Sequence, residues 1–269
     1  MSTGVGMSAC CLSGKVNEGT PTGSEQVISG LNTYVATPSD NSKGKAVVFL
    51  VDIFGWKFTN TRLLADSYAR AGYKAYIPDV HNGDSLPIDF LQVVEPPLPV
   101  RESQTVVEKA TATAKVGATL GPWLISHREA VSKPIIDDFL AAIRQRSDTQ
   151  KVGAIGFCWG GRYAILAAHS DVVDAAVACH PSLVAIPADF EPVVKPLSLA
   201  LGDKDSLLGE KEIGQIRELM QKKESVSEVK VYEGQVHGFA LRGDWSSEKD
   251  KKAMDDAEKQ GLEWFGKHL

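Results

Sequence analysis

With 269 residues, 43% hydrophobic and 23% charged, the chain is long enough for one large domain with a substantial core. Its net charge of −5 argues against broad binding to nucleic acid or anionic membranes, and no apolar run approaches the roughly 20 residues of a membrane span. Residues 1–14 hold neither a basic segment nor a continuous apolar one, so no signal peptide is expected; the 4 cysteines form no two spaced pairs, which fits a reducing, cytoplasmic setting.

Residues 1–24, rich in Gly, Ser and Thr, read as an irregular leader. Cys10-Cys11 has no His or further Cys at ligand spacing and reads as a surface or lightly packed pair. Residues 26–37 predict an edge strand and 38–44 a polar turn. The fully apolar run 45–51 predicts a buried parallel strand. Its exit, Asp52-Ile53-Phe54-Gly55-Trp56, falls where carboxyl-edge loops build sites in open α/β sheets. Asn60 is placed to cap a helix running to residue 71, ended by Gly72. A strand at 73–78 then delivers a loop with His81, Asn82 and Gly83.

Residues 85–130 open with Pro87, Pro96, Pro97 and Pro99; a helix over 101–119 follows, and Gly121-Pro122-Trp123 opens another. This insertion reads equally as a lid or substrate wall and as a packing excursion. Helix 134–146 carries Ile135, Ile136, Phe139 and Ile143 at core-facing spacing. Strand 172–179 ends at His180-Pro181-Ser182, and strand 196–201 delivers Gly202-Asp203-Lys204-Asp205. Helix 209–223, strand 228–232, the loop through His237-Gly238-Phe239 and an exposed helix over 249–267 complete the chain. Strands and helices alternate without repeats or a linker, which predicts one α/β domain over 25–269 with a mostly parallel central sheet and helices on both faces.

The stretch 151–168 organises the rest. A short apolar strand runs into Gly156-Phe157-Cys158-Trp159-Gly160, and an Ala-rich helix follows. This is the G-x-S-x-G nucleophile elbow with cysteine for serine. Glycines two residues either side let strand and helix approach closely, and the helix N-terminus favours thiolate. The Trp159 amide would meet the reacting carbonyl oxygen. The competing reading is a buried structural cysteine in a Gly-rich turn.

Three loops at the carboxyl edge carry Cys158, an Asp and His237, the nucleophile-acid-His order of α/β-hydrolases. His237 would serve as base, with the acid fixing its tautomer. Asp205 is favoured over Asp203 because it lies deeper in the loop. His180 precedes the acid, so the order fails, though it can line the pocket; His81 reads as a wall residue. A zinc site from Cys158, Cys179, His180 and His237 lacks a ligand-spacing motif.

Asp52-Ile-Phe-Gly55, Gly156-Phe-Cys-Trp-Gly-Gly161, Gly202-x-x-Asp205 and His237-Gly-Phe239 together resemble the dienelactone hydrolase (carboxymethylenebutenolidase) family, in its eukaryotic branch. The resemblance implies an α/β-hydrolase fold and a Cys158-His237-Asp205 triad. It also implies an oxyanion hole from the Ile53 and Trp159 amides, and no metal or organic cofactor. Bacterial members have a Glu where Asp52 stands, holding the resting thiol protonated until substrate arrives; Asp52 is the thiol-modulating candidate. They bind a substrate carboxylate with two arginines; here only Arg242 stands near the corresponding place, after Leu241. Trp56, His81, His180, Phe239 and Arg242 are the substrate-binding candidates. The expected function is a cysteine-dependent hydrolase acting on a small lactone or activated ester, as monomer or homodimer. The alternatives are a thioesterase, a general carboxylesterase, or a catalytically idle member binding a small ligand or a protein.

Overall fold

The computed structural model describes residues 18–39, 44–90, 103–223 and 226–269. Cys10-Cys11, most of the proposed leader, part of the turn after residue 38 and part of the insertion lie outside them. The sheet begins with an antiparallel hairpin, β1 (Ser24–Ile28) and β2 (Leu31–Ala36), where the sequence predicted one edge strand. Ser29 and Gly30 both have positive φ, 50° and 80°, the turn that matches strand twist in a two-residue hairpin. Thr22 N–H donates to Asp66 Oδ2 at 2.7 Å, so residues just before β1 are tied to the fold.

Six further strands follow: β3 (Lys45–Leu50), β4 (Lys74–Pro78), β5 (Lys151–Phe157), β6 (Ala175–Cys179), β7 (Leu197–Gly202) and β8 (Ser227–Tyr232). Among the described residues they form one sheet in the order β1-β2-β4-β3-β5-β6-β7-β8, parallel from β4 to β8. The central strands β3, β5, β6 and β7 are buried almost throughout, because helices cover both faces and their near-continuous apolar runs leave no polar side. Parallel order puts the carboxyl ends of β3 to β8 on one edge, where the loops after β3, β5, β6, β7 and β8 converge.

The helices correct several boundaries. α1 (Thr59–Arg70) has Phe58 as N-cap without a side-chain cap; Asn60 instead donates to Leu241 O at 2.9 Å. Among the described residues of the insertion, the predicted break at 119–121 is absent and one long helix, α2 (Val106–Ser126), runs through it with Pro122 inside its last turns. Its start is a capping box: Glu108 N–H donates to Thr105 Oγ1 at 3.2 Å, and Thr105 N–H to Glu108 Oε2 at 2.8 Å. α3 (Glu129–Arg144) begins a turn before Pro134. α4 (Trp159–Ala167) follows the elbow, and α5 (Glu210–Gln221) precedes β8. A short α6 (Phe239–Arg242) was not predicted. The last helix, α7 (Glu248–His268), is not the exposed element expected: Ala253, Met254, Ala257, Gly261, Trp264 and Phe265 form a buried stripe at helical spacing. Phe265 packs against Tyr68 and Tyr73, with ring centroids 6.2 and 6.3 Å away. None of the described helices is long and apolar enough to cross a membrane.

Candidate active site

Cys158 sits between β5 and α4 with φ 53° and ψ −117°, a conformation L-residues rarely adopt. Such backbone strain costs on the order of 1–3 kcal/mol and persists only when the surroundings over-determine it. Here they do. Cys158 N–H donates to Cys179 O and to His180 Nδ1, each at 3.2 Å, and its carbonyl accepts from Gly161 N–H at 3.0 Å and Ser182 N–H at 2.9 Å. The glycines are required by space: a Cβ on Gly156 would come within 2.1 Å of Gly160 O, and one on Gly160 within 2.1 Å of Leu50 O. Helix α4 therefore starts directly against the ends of β3 and β5.

His237 Nδ1 lies 2.9 Å from Asp205 Oδ2, both side chains almost fully buried. Asp205 Oδ1 accepts from Leu207 N–H at 2.8 Å, which fixes the carboxylate plane. Asp203 is elsewhere, with Oδ1 accepting from Gly234 N–H in the turn after β8. His237 is thus paired with Asp205 and not with Asp203. His237 Nε2 has no aligned hydrogen-bond partner among the described residues, yet the ring couples to the Cys158 sulfur. Burial pushes the thiol up, but the His237 imidazolium and then the Arg242 guanidinium outweigh it, so Cys158 lies below the ordinary thiol value. Burial pulls His237 down; the facing Cys158 charge and the Asp205 hydrogen bond raise it above the ordinary imidazole value. Both shifts run toward the thiolate and the imidazolium, each charge favouring the other.

The Ile53 and Trp159 amides, the expected oxyanion donors, donate to no other described residue. Their frames are rigid: Leu86 N–H donates to Ile53 O at 2.8 Å, and Gly160 N–H to Val51 O at 3.1 Å.

Asp52 and Arg242, assigned separate roles in the sequence, form one buried ion pair, Oδ2 to Nη1, and Asp52 Oδ1 accepts from Phe54 N–H at 2.9 Å. Arg242 is 4% exposed, so a surface role is ruled out. Gly238, at φ 86°, reverses the chain so that α6 can bring the guanidinium back beneath it. Leaving one buried charge without its partner costs about 3–5 kcal/mol. Arg242→Ala is accordingly expected to lower unfolding free energy by about that much, and Arg242→Met with Asp52→Asn to recover most of it, as measured by urea titration. Equal stability of Arg242→Ala and wild type would show that the pair carries no such burden.

The remaining candidates are less closely grouped. His180, at φ 37°, is fully buried behind the elbow; Nδ1 accepts from Cys158 N–H, so its proton resides on Nε2, and its ring lies 5.1 Å from that of His237. It supports the nucleophile's backbone rather than lining an open pocket. Phe239 packs against His180 and Tyr232, with centroids 5.9 and 4.8 Å away. Trp56 lies under Arg62, whose guanidinium sits 4.9 Å from the indole centroid, toward the β1–β2 hairpin. His81 is brought to the site: its ring meets Trp159 edge-on at 4.9 Å and Trp123 at 5.0 Å. Burial, then neighbouring His127, push His81 down to about 3, so it is neutral and not an anion binder. Trp123 and His127 stack at 4.1 Å, and Trp123 Nε1–H donates to Asp84 O at 2.6 Å. The end of the insertion is therefore a wall beside Trp159. A cavity of about 260 Å³ opens there between Leu124, His127, Trp159, Tyr163 and Leu183. Sequence reasoning missed Ser182, whose Oγ is 3.7 Å from Cys158 Sγ. Its only signal was its place three residues beyond a strand end on the site edge. Among the described residues no cluster of His, Cys, Asp and Glu is arranged to hold a metal.

A family model described as the dienelactone hydrolase family matches residues 31–269. Hydrolase pyvD of Aspergillus violaceofuscus is 27% identical over 262 residues, covering 97% of each chain. The mouse carboxymethylenebutenolidase homolog is 28% identical over 251 residues, 92% of this chain and 91% of its own. A dienelactone hydrolase structure from Klebsiella pneumoniae superposes with a TM-score of 0.68 at 24% identity, covering 91% of this chain and 98% of that one.

Proposed function

The chain belongs to the dienelactone hydrolase family and is a hydrolase of ester or lactone bonds, and on that premise we propose that it cleaves uncharged esters or lactones through an acyl-cysteine on Cys158. The observation that carries the mechanism is the 2.9 Å contact between His237 Nδ1 and Asp205, which leaves Nε2 to serve the sulfur. The Cys158 thiolate attacks the carbonyl carbon, and the Ile53 and Trp159 amides meet the developing oxyanion. His237 gives its proton to the departing alkoxide. It then takes one from the water that releases the acid, and Asp205 stabilises the imidazolium each time it forms.

The restriction to uncharged substrates rests on where the cations are. Arg242 is paired with Asp52, and His81 is neutral. A free arginine on a substrate carboxylate contributes roughly 1.5–3 kcal/mol, about ten- to a hundredfold in kcat/KM. Neither Arg242 nor His81 supplies that gain. A panel of matched neutral and carboxylate-bearing esters, lactones and thioesters tests the reading; kcat/KM should favour the neutral members by about tenfold or more. A preference for the anionic members would reassign Arg242 to substrate. A preference for thioesters over oxygen esters would make the protein a thioesterase with the same catalytic residues.

A further inference from the structure

The thiol group has a hydrogen-bonding neighbour outside the four motifs. Ser182 follows β6 through His180-Pro181 and is held against the elbow by its own backbone, its N–H donating to Cys158 O at 2.9 Å. Ser182 is buried with Oγ 3.7 Å from Sγ, and that hydroxyl makes no other hydrogen bond among the described residues. Of the other groups near the sulfur, one is engaged elsewhere and one faces it chiefly as a charge. Asp52 has one carboxylate oxygen on the Phe54 amide and the other on Arg242. His237 acts on the sulfur through its charge, and its Nε2 has no aligned hydrogen bond among the described residues.

We infer that the Ser182 hydroxyl donates a hydrogen bond to the Cys158 thiolate whenever that ion forms, favouring the ionised nucleophile and aiming it at the acyl carbon. The assignment rests on Cys158 being the nucleophile. An aliphatic hydroxyl is a far weaker acid than a thiol, so serine keeps its proton and sulfur accepts. When the sulfur pair forms the bond to the acyl carbon, negative charge leaves for the carbonyl oxygen and the serine bond weakens. It re-forms when water displaces the acyl group and the thiolate returns. Ser182 therefore acts on the reacting atom at the start and end of the cycle without exchanging a proton.

The other groups around the sulfur are accounted for. His237 and Arg242 draw the thiol down and Asp52 opposes them. His180, behind the elbow, is held neutral by burial and then by the charges of His237 and Arg242; burial raises Cys179 to about 12, so it too is neutral. Because the thiol value is depressed, thiolate is present above its midpoint and lost as pH falls through it. Losing a donor to the thiolate raises that midpoint.

Iodoacetamide alkylation at Cys158, followed by mass mapping against pH, reads it directly. Ser182→Ala is expected to shift the alkylation midpoint upward by about one pH unit, with a rate about tenfold lower below it. Ser182→Thr, which keeps a hydroxyl, should restore the wild-type midpoint. Thermal unfolding of both variants separates a shifted titration from a damaged fold, and thiolate ultraviolet absorbance gives the midpoint without a reagent. An unmoved midpoint in folded Ser182→Ala overturns the inference, and so does a Thr variant that behaves like Ala. Hydrolysis surviving in Cys158→Ala would instead defeat the nucleophile assignment while leaving the Ser182 titration result intact, so the two failures are distinguishable.

Discussion

Cys158→Ala is expected to reduce ester turnover to the level that binding and the oxyanion donors alone can supply, a fall of about 10⁶ in kcat by analogy with loss of a serine nucleophile. The expectation follows from how much structure converges on this residue. Its strained φ of 53°, the glycines on either side, and the His237 and Arg242 charges all serve one sulfur. Limited alkylation should label Cys158 and inactivate in parallel. Cys179 is the internal control: buried and raised to about 12, it should remain unlabelled in the folded protein. Hydrolysis that persists after complete labelling of Cys158, or in Cys158→Ala, would falsify the acyl-cysteine mechanism.

The fold was legible wherever sequence pattern and burial coincide. β3, β5 and β7 are apolar because both faces of a parallel sheet are covered, so their runs stand out. Boundaries failed where a local signal was weighed against the wrong competitor. Ser29-Gly30 is a hairpin turn, but the mixed polarity of the edge strands hid it. Gly121-Pro122 looks like a break, yet α2 runs through it: Pro122 lies in an exposed stretch near the helix end, where the carbonyl that loses its donor can bond water. The capping box at Thr105 and Glu108 was the better indicator of where α2 begins. In α7 the charged residues dominated the reading, although Ala253, Ala257, Gly261 and Trp264 already traced a buried face.

At the site, the sequence carried residues but not pairings. Cys158, Asp205 and His237 stood out as candidates because each closes a strand-end motif, and topology brings strand ends together. Asp52 and Arg242 lie 190 positions apart, and nothing in their local sequence says that they neutralise each other. Pairing needed the reversal at Gly238 and the anchoring of the Leu241 carbonyl by Asn60. Ser182 was invisible for a related reason: its significance is a 3.7 Å contact to a residue 24 positions away.

Asp205→Asn is expected to lower kcat by about 10⁴ with KM little changed, the scale seen when a triad acid becomes an amide. Asparagine can still accept from Leu207 N–H through Oδ1, so the loop should keep its shape. What it cannot do is stabilise a charged imidazole. The neutral amide removes the Asp205 contribution that helps raise His237, so the His237 value should fall toward the ordinary range. Activity would then be lost at a lower alkaline pH than in wild type, because the imidazolium must survive to protonate the leaving group. Asp203→Asn should behave differently. Asp203 is about a third exposed; it holds the Gly234 amide, one hydrogen bond of about 0.5–1.5 kcal/mol in the turn behind His237, and faces Lys204 Nζ at 3.9 Å. Its effect on kcat should stay within about tenfold, without a moved alkaline limb. Measured pH-rate profiles of both variants decide the assignment. If Asp203→Asn shows the large fall and the shifted limb while Asp205→Asn does not, the catalytic acid lies two residues earlier. The 2.9 Å contact between His237 and Asp205 would then not be the one used in turnover.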